Sequence, residues 1–275
     1  MPQRLLKFGQ GCLILCGFGV ILPRVLLVLP SEAVSEKPVV DRFPFGHGLS
    51  HVVQRARVFL RMTKGEVTRA LGSLRAVDFP HPESLVPRAL PWVLAAGNPY
   101  YDYLFGEAAF SYRTLEGWMK RASSEVSILR GEFLTCDAEL AGGFIGLNGV
   151  ELKRARQADA GALWEAFPSA ERAALVERMA NSANLFPPVA DDEYYLSKMG
   201  LGAPYRGQGL GGALVQQFLA QGKAQNYARY RLDVHAENQP AIRCYLAAGF
   251  KVLSTSQSRD GGLRYQAMRC ELETA

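Results

Sequence analysis

The chain has 275 residues, 48% of them hydrophobic, which allows one or two domains of ordinary globular composition. Its formal charge of +5 is unevenly placed: residues 1–73 hold ten Lys/Arg against four Asp/Glu, and residues 74–275 hold 21 against 22. That near-neutral larger part has no basic patch with interleaved aromatics, which argues against nucleic acid. The five cysteines, Cys12, Cys16, Cys136, Cys244 and Cys270, form no C-x-x-C pair and keep no histidine company, so a metal site and a disulfide scaffold both lack support.

Residues 1–73 read as an N-terminal extension, apolar then basic, outside the fold. Residues 12–29 are strongly apolar, with Arg4 and Lys7 ahead of them and Pro23 and Arg24 interrupting. A signal peptide, a single membrane span and an upstream translation ahead of Met62 all stay open. Arg24 would be costly inside a span, and Ser31-Glu32-Ala33 makes a poor cleavage site.

The domain proper, 74–275, opens with a short strand at 74–77. Pro82-Glu83 starts an apolar helix that runs to about Ala96, and Gly97-Asn98-Pro99 ends it. Tyr100, Tyr101, Tyr103 and Phe105 form an aromatic cluster ahead of a helix over 109–122. Strands follow at 127–136 and 139–147, joined at Asp137-Ala138, with Gly142-Gly143 as a bulge candidate. Residues 153–183 read as two helices broken at Phe167-Pro168. A strand ends at Leu201, and a helix of about 210–225 shows apolar residues at helical spacing. A strand at 230–234, a helix from Gln239-Pro240, and strands at 251–256 and 264–272 around Arg259-Asp260-Gly261-Gly262 complete the order. The fold class is α/β.

The sharpest signal is Arg206-Gly207-Gln208-Gly209-Leu210-Gly211-Gly212 between a strand and a helix. Glycines let the chain turn tightly there. The first amides of the helix lack internal acceptors and sit at its positive end, which suits a phosphate. Two readings of these residues compete: a plain glycine-rich turn, and a dinucleotide fingerprint through Gly207, Gly209 and Gly212 with Asp233 as its acid. Against the dinucleotide, Ala203-Pro204-Tyr205-Arg206 separates the glycines from the strand, and too little chain follows for a doubly wound sheet. No Gly-Lys-Ser or Gly-Lys-Thr follows, which excludes a P-loop.

The block from Tyr195 to Phe250 resembles the GCN5-related N-acetyltransferases, the GNAT superfamily. That family carries R/Q-x-x-G-x-G/A after its fourth strand, here Arg206 to Gly211. Its second signature is matched by Asn238, Ala241-Ile242, Tyr245 and Gly249-Phe250. The detailed resemblance covers about a quarter of the chain, and the looser element order runs from about Leu74 to Glu273. It implies a mixed central sheet flanked by helices and a cytoplasmic enzyme moving an acetyl group from acetyl-CoA to a primary amine, with no metal.

By resemblance the pyrophosphate of coenzyme A lies on Arg206, Gly207, Gln208, Gly209, Leu210 and Gly211. The thioester arm lies along Met199, Gly200 and Leu201, where the fourth strand splays from the fifth, with Gly200 a candidate bulge. Asn238 contacts the coenzyme and also caps its helix. Tyr245 is the expected general acid for the departing thiolate, its phenol being protonated at neutral pH. Packing alone is the bland role for this tyrosine. Tyr195 stands where histone-type members have a glutamate, so that carboxylate is missing; the acidic run Asp191-Asp192-Glu193 reads either as solvated surface or, through Glu193 acting by way of a water, as the source of the base, with His235 the other candidate. The acceptor is expected to be a small-molecule amine. A protein or peptide amine and a non-catalytic acyl-CoA sensor are the alternatives. A homodimer is compatible with the sequence, and membrane contact depends on the apolar segment being retained.

Overall fold

The computed structural model describes residues 82–106, 108–136 and 139–272, with four short strands ahead of them: Ile14–Leu15 (β1), Val20–Ile21 (β2), Arg57–Met62 (β3) and Val77–Asp78 (β4). The expectations for the rest of 12–29, for residues 74–76 and for the Asp137-Ala138 turn lie outside the described residues. β1 and β2 pair only with each other. The later strands are Gly131–Cys136 (β5), Glu139–Asn148 (β6), Glu193–Leu201 (β7), Arg229–His235 (β8), Lys251–Gln257 (β9) and Arg264–Glu271 (β10). With β3 and β4 they form one mixed sheet in the order β4-β3-β5-β6-β7-β8-β10-β9. Only β3–β5 and β7–β8 run parallel. β3 lies ahead of the boundary expected at 73/74, yet it pairs with β5 from Arg57 opposite Glu132 to Met62 opposite Cys136.

Helices cover both faces of this sheet, as expected. On one side lie Val86–Gly97 (α1), Tyr100–Phe105 (α2), Ala108–Lys120 (α3), Gly149–Ala166 (α4) and Arg172–Asn181 (α5). Their core joins Trp92, Tyr101, Leu104, Leu152 and Leu175 to Phe133 and Tyr195 of the sheet. On the other side Leu210–Ala224 (α6) and Gln239–Ala247 (α7) pack Leu214, Phe218 and Ile242 against Tyr194, Leu196 and Leu232.

Local chemistry accounts for the differences from the sequence reading. The strand expected from 127 begins only at Gly131, because the Ser127 hydroxyl accepts from the Leu129 amide (3.3 Å) and starts a turn. The aromatic cluster is itself the helix α2. The helix expected from 153 begins at Gly149, where the Asn148 side chain accepts from the Glu151 amide at 2.8 Å.

Two bulges shape the middle of the sheet. Ala141 is the extra residue of β6 against β5, beside the expected Gly142-Gly143. Against β6, Lys198 faces Ile145 and Leu196 faces Gly146, so Ser197 is the extra residue of β7. The expected bulge at Gly200 is therefore corrected: Gly200 pairs in register with Gly143. Its missing side chain serves close packing instead, since a Cβ there would lie 2.8 Å from Trp92 Cε3. The extra residue resets the alternation of β7. Tyr195 packs toward α1–α5, and past the bulge so do Lys198 and Gly200, while Met199 and Leu201 turn to the α6–α7 side.

Candidate active site

β7 and β8 pair only from Glu193–Arg229 to Leu196–Leu232. Beyond that point β7 keeps its bonds to β6 but none to β8. Burial changes at the same residue: 193–196 are buried, and 197–201 are each half-buried. The strands thus part at Ser197, opening main-chain groups of Ser197–Leu201 toward a gap in the sheet. This is the splay expected beside Met199, Gly200 and Leu201.

The glycine loop stands at the end of β7. Gly202 N donates to Ala141 O (2.8 Å), and a short 3-10 turn at Ala203–Tyr205 follows. Arg206 Nε donates to Leu201 O (3.0 Å) and Gln208 Nε2 to Pro204 O (2.8 Å), so both side chains brace the loop. Gly207 and Gly209 have φ of +74° and +79°, a conformation that favours glycine, and each has open space where a Cβ would project. Gly209 precedes α6 without a side chain to cap it. Among the described residues, the backbone amides of 207–211 have no acceptor in the protein. Five amides at the positive end of a helix form an anion cradle. Of the expected coenzyme residues here, Leu210 offers only its amide, because its side chain is buried.

A cleft of about 360 Å³ continues from Gly209 between the helices. It is lined by Gly209, Gly212, Ala213 and Gln216 of α6 and by Cys244, Ala247 and Ala248 at the C-terminal end of α7. Sequence reasoning missed five of these, Ala213, Gln216, Cys244, Ala247 and Ala248. The signal was present as small residues recurring at three- and four-residue spacing on both helices, which lets the helices leave a channel.

α7 starts as expected, with the Asn238 side chain accepting from the Ala241 amide (3.3 Å) and Pro240 in the first turn. Tyr245 lies buried on the α6–α7 side, its ring edge-on to Phe250 at 5.9 Å. Its hydroxyl has no hydrogen-bond partner among the described residues. Burial pushes its pKa well up, so it holds its proton throughout the neutral range.

Glu193 does not join these groups. It sits at the other end of β7, where Oε1 accepts from Arg269 Nε (2.9 Å) and Oε2 from the Ala190 amide (2.8 Å), with Arg231 Nε at 3.8 Å. A buried carboxylate spent on the Arg269 guanidinium and a backbone amide is not free to take a proton from substrate, which corrects its expected role as base. Asp191 and Asp192 are exposed partners of Lys153 and Arg229, as expected. His235 ends β8 with its ring 5.2 Å from Tyr265.

The face of the gap opposite α6–α7 carries a buried polar chain that the sequence did not announce. Lys198 Nζ lies 3.7 Å from Glu125, and Arg156 of α4 donates from Nε to Glu125 (3.0 Å) and from Nη2 to Tyr195 Oη (3.0 Å). Tyr195 Oη donates to Asp233 Oδ2 at 3.0 Å. Burial holds the Lys198 ammonium below its usual pKa and lifts the Asp233 carboxyl above its own. Next to this chain, Asp159 accepts from Arg121, Ser124 Oγ and the Glu125 amide.

Residues 173–250 match the model of the acetyltransferase (GNAT) family. The match is confined to that segment, which holds the glycine loop, α6, β8 and α7. No curated protein matches it. Among solved structures, an acetyltransferase aligns at 18% identity over 70% of this chain and 95% of its own, with a TM-score of 0.48. An N-acetyltransferase from Staphylococcus aureus Mu50 aligns at 16% over 69% and 94%, TM-score 0.46. The ribosomal-protein-S18-alanine N-acetyltransferase from Escherichia coli aligns at 19% over 64% and 88%, TM-score 0.36. The family match supports an acyl-CoA-dependent N-acetyltransferase, with acetyl-CoA as cosubstrate. The site fits that ligand: the free amides of 207–211 suit its pyrophosphate, and the parted strands leave room and main-chain groups for its extended arm. Among the described residues no cluster of three or more His, Cys, Asp or Glu could hold a metal ion. No helix among them is long and apolar enough to cross a membrane.

Proposed function

We propose that this protein transfers the acetyl group of acetyl-CoA to the primary amine of a small molecule by direct attack, with Tyr245 as general acid. Three features carry the reading: the amides of 207–211 without an acceptor among the described residues, the gap that opens at Ser197, and Tyr245 in the α6–α7 layer with its hydroxyl unpartnered among the described residues. The amides hold the coenzyme's phosphates. The open edge of β7 at Met199, Gly200 and Leu201 aligns its arm by main-chain hydrogen bonds. Tyr245 Oη keeps a proton for the sulfur as it leaves. A non-catalytic sensor would need the first two but has no use for the third.

The test is ligand stabilisation followed by turnover. Coenzyme A at about a hundred times its Kd should add roughly 2.7 kcal/mol of stability, read as a raised melting temperature. NAD should add nothing. Stabilisation by NAD and not by coenzyme A would return the loop to the dinucleotide reading. Thiol release from acetyl-CoA that depends on an added small amine separates the enzyme from the sensor.

A further inference from the structure

On the side of the sheet away from α6 and α7, the gap between β7 and β8 begins at one carboxylate. The last register pair is Leu196–Leu232, so the next would be Ser197 with Asp233, and there pairing stops. The Asp233 side chain is 1% exposed, although its main chain is accessible along the open edge. Oδ2 is fixed by Tyr195 Oη at 3.0 Å. Among the described residues Oδ1 has no hydrogen-bond partner, and neither does Ser197 Oγ, at the residue where β7 leaves β8. Buried polar atoms are ordinarily paired, so two unpaired ones at the point where strands separate mark a place for a ligand's donors.

The charges nearby leave Asp233 Oδ1 without a hydrogen bond among the described residues, its ion-pair neighbour being the buried Arg231 guanidinium, whose Nε and Nη2 are likewise unbonded. Arg156 and Lys198 are both engaged by Glu125, and Arg231 lies between Glu193 and Asp233 at 3.8 Å from each, making no hydrogen bond to either. On β10, Ala267 pairs with Asp233 and offers no polar group; Tyr265 and His235 stand two pairs further along, past Gln266 and Val234. We propose that Asp233 is the acceptor-side catalytic carboxylate: Oδ1 receives the ammonium of a primary amine substrate and takes its proton, while Tyr195 and Arg156 hold the carboxylate in place. This rests on the acetyltransferase reading above.

The proton balance is complete with the groups named. The ammonium gives one proton to Asp233 and becomes a neutral amine. Its nitrogen forms the amide bond as the thioester C–S bond breaks, and the thiolate takes the Tyr245 proton. The second proton of the nitrogen restores Tyr245, and Asp233 passes its own to water. Acid and base thus stand on opposite faces of the sheet, with the gap between them. The upward push of burial on Asp233 suits a group that must accept a proton near neutral pH.

The experiment compares wild type, Asp233→Asn and Tyr195→Phe, each saturated with coenzyme A. The probes are butylamine and phenethylamine, each against its alcohol, 1-butanol and 2-phenylethanol. The wild type should bind the amine at least roughly tenfold more tightly than the alcohol, and Asp233→Asn should lose that preference while keeping its coenzyme A affinity. With the better amine, the acidic limb of the wild-type kcat/KM profile should vanish in Asp233→Asn. In Tyr195→Phe, which keeps the carboxylate should the Asn variant not fold, that limb should move to higher pH because a donor that favours the anion is gone. An absent amine preference in the wild type, a preference retained in Asp233→Asn, or a limb unmoved in Tyr195→Phe overturns the proposal. Failure of coenzyme A to stabilise the wild type strikes the acetyltransferase reading itself, and this proposal with it.

Discussion

Tyr245→Phe removes one oxygen from a ring whose surroundings are otherwise untouched. The hydroxyl has no hydrogen-bond partner among the described residues, so no buried group is orphaned, and the edge-on contact with Phe250 at 5.9 Å survives. Folding stability should therefore change by less than about 1 kcal/mol. Turnover should not be spared. Loss of a positioned general acid costs on the order of 10²-fold in kcat, equivalent to about 2.7 kcal/mol in the barrier. Coenzyme affinity should hold, because the proton is needed only as the C–S bond breaks. Burial keeps the phenol protonated, so the deficit should be constant from pH 6 to about pH 9. The assay is thiol release under single-turnover conditions, with coenzyme affinity by calorimetry and a melting curve on the same preparation. Wild-type turnover in a chemistry-limited assay would refute the acid role and leave Tyr245 as packing. Equal losses in affinity and turnover would make it a coenzyme contact instead.

Gly200→Ala pushes a Cβ to 2.8 Å from the Trp92 ring and 3.2 Å from its carbonyl oxygen; overpacking of this kind costs about 1–3 kcal/mol, so the melting temperature should fall by several degrees. A chain beginning at Met62 loses most of β3, which lies along β5, and should melt below one beginning ahead of Arg57; equal melting curves would place β3 outside the folded unit. Asp159 should make stability fall as pH rises. Burial and the neighbouring Glu125 charge lift its carboxyl to about 7, and the opposing pair with Arg121 is weakened because that arginine is one-third exposed to water. Between about pH 4 and 7 the folded state keeps a proton that the unfolded chain releases, a slope of up to about 1.4 kcal/mol per pH unit. Denaturant titrations at pH 4.5 and 7 should show this slope in the wild type and its loss in Asp159→Asn.

The glycine loop and the start of α7 were legible because their chemistry is local. Gly207 and Gly209 announce left-handed backbone, Asn238-Gln239-Pro240 announces a capped helix start, and both are decided within a few residues. The cleft between α6 and α7 was half legible: the small residues show, but which helix faces which does not. The acceptor side was not legible. Arg229, Arg231, Asp233 and His235 alternate with Tyr230, Leu232 and Val234, which reads as a strand with one face in water. α1–α5 cover that face, and Arg231 and the Asp233 carboxylate are buried. Nothing within the strand says that a helical layer from residues far earlier in the chain will close over it.

The missing glutamate at Tyr195 shows how a one-residue event misdirects such a reading. If β7 ran without interruption, Glu193 and Tyr195 would share a face with Ser197 and Met199, and the nearest carboxylate along the strand would be the natural base. Ser197 adds a residue at the point where β8 departs, so Lys198 and Gly200 take that face instead, and Met199 and Leu201 turn to the α6–α7 side. Glu193 is left four bonded pairs from the gap and neutralised by arginines. A carboxylate still reaches the gap, but through the parallel neighbour, and Tyr195 is the residue that holds it. The position that looked vacant in the sequence therefore carries the hydroxyl that fixes Asp233, and a Tyr195→Phe variant reports on both residues at once.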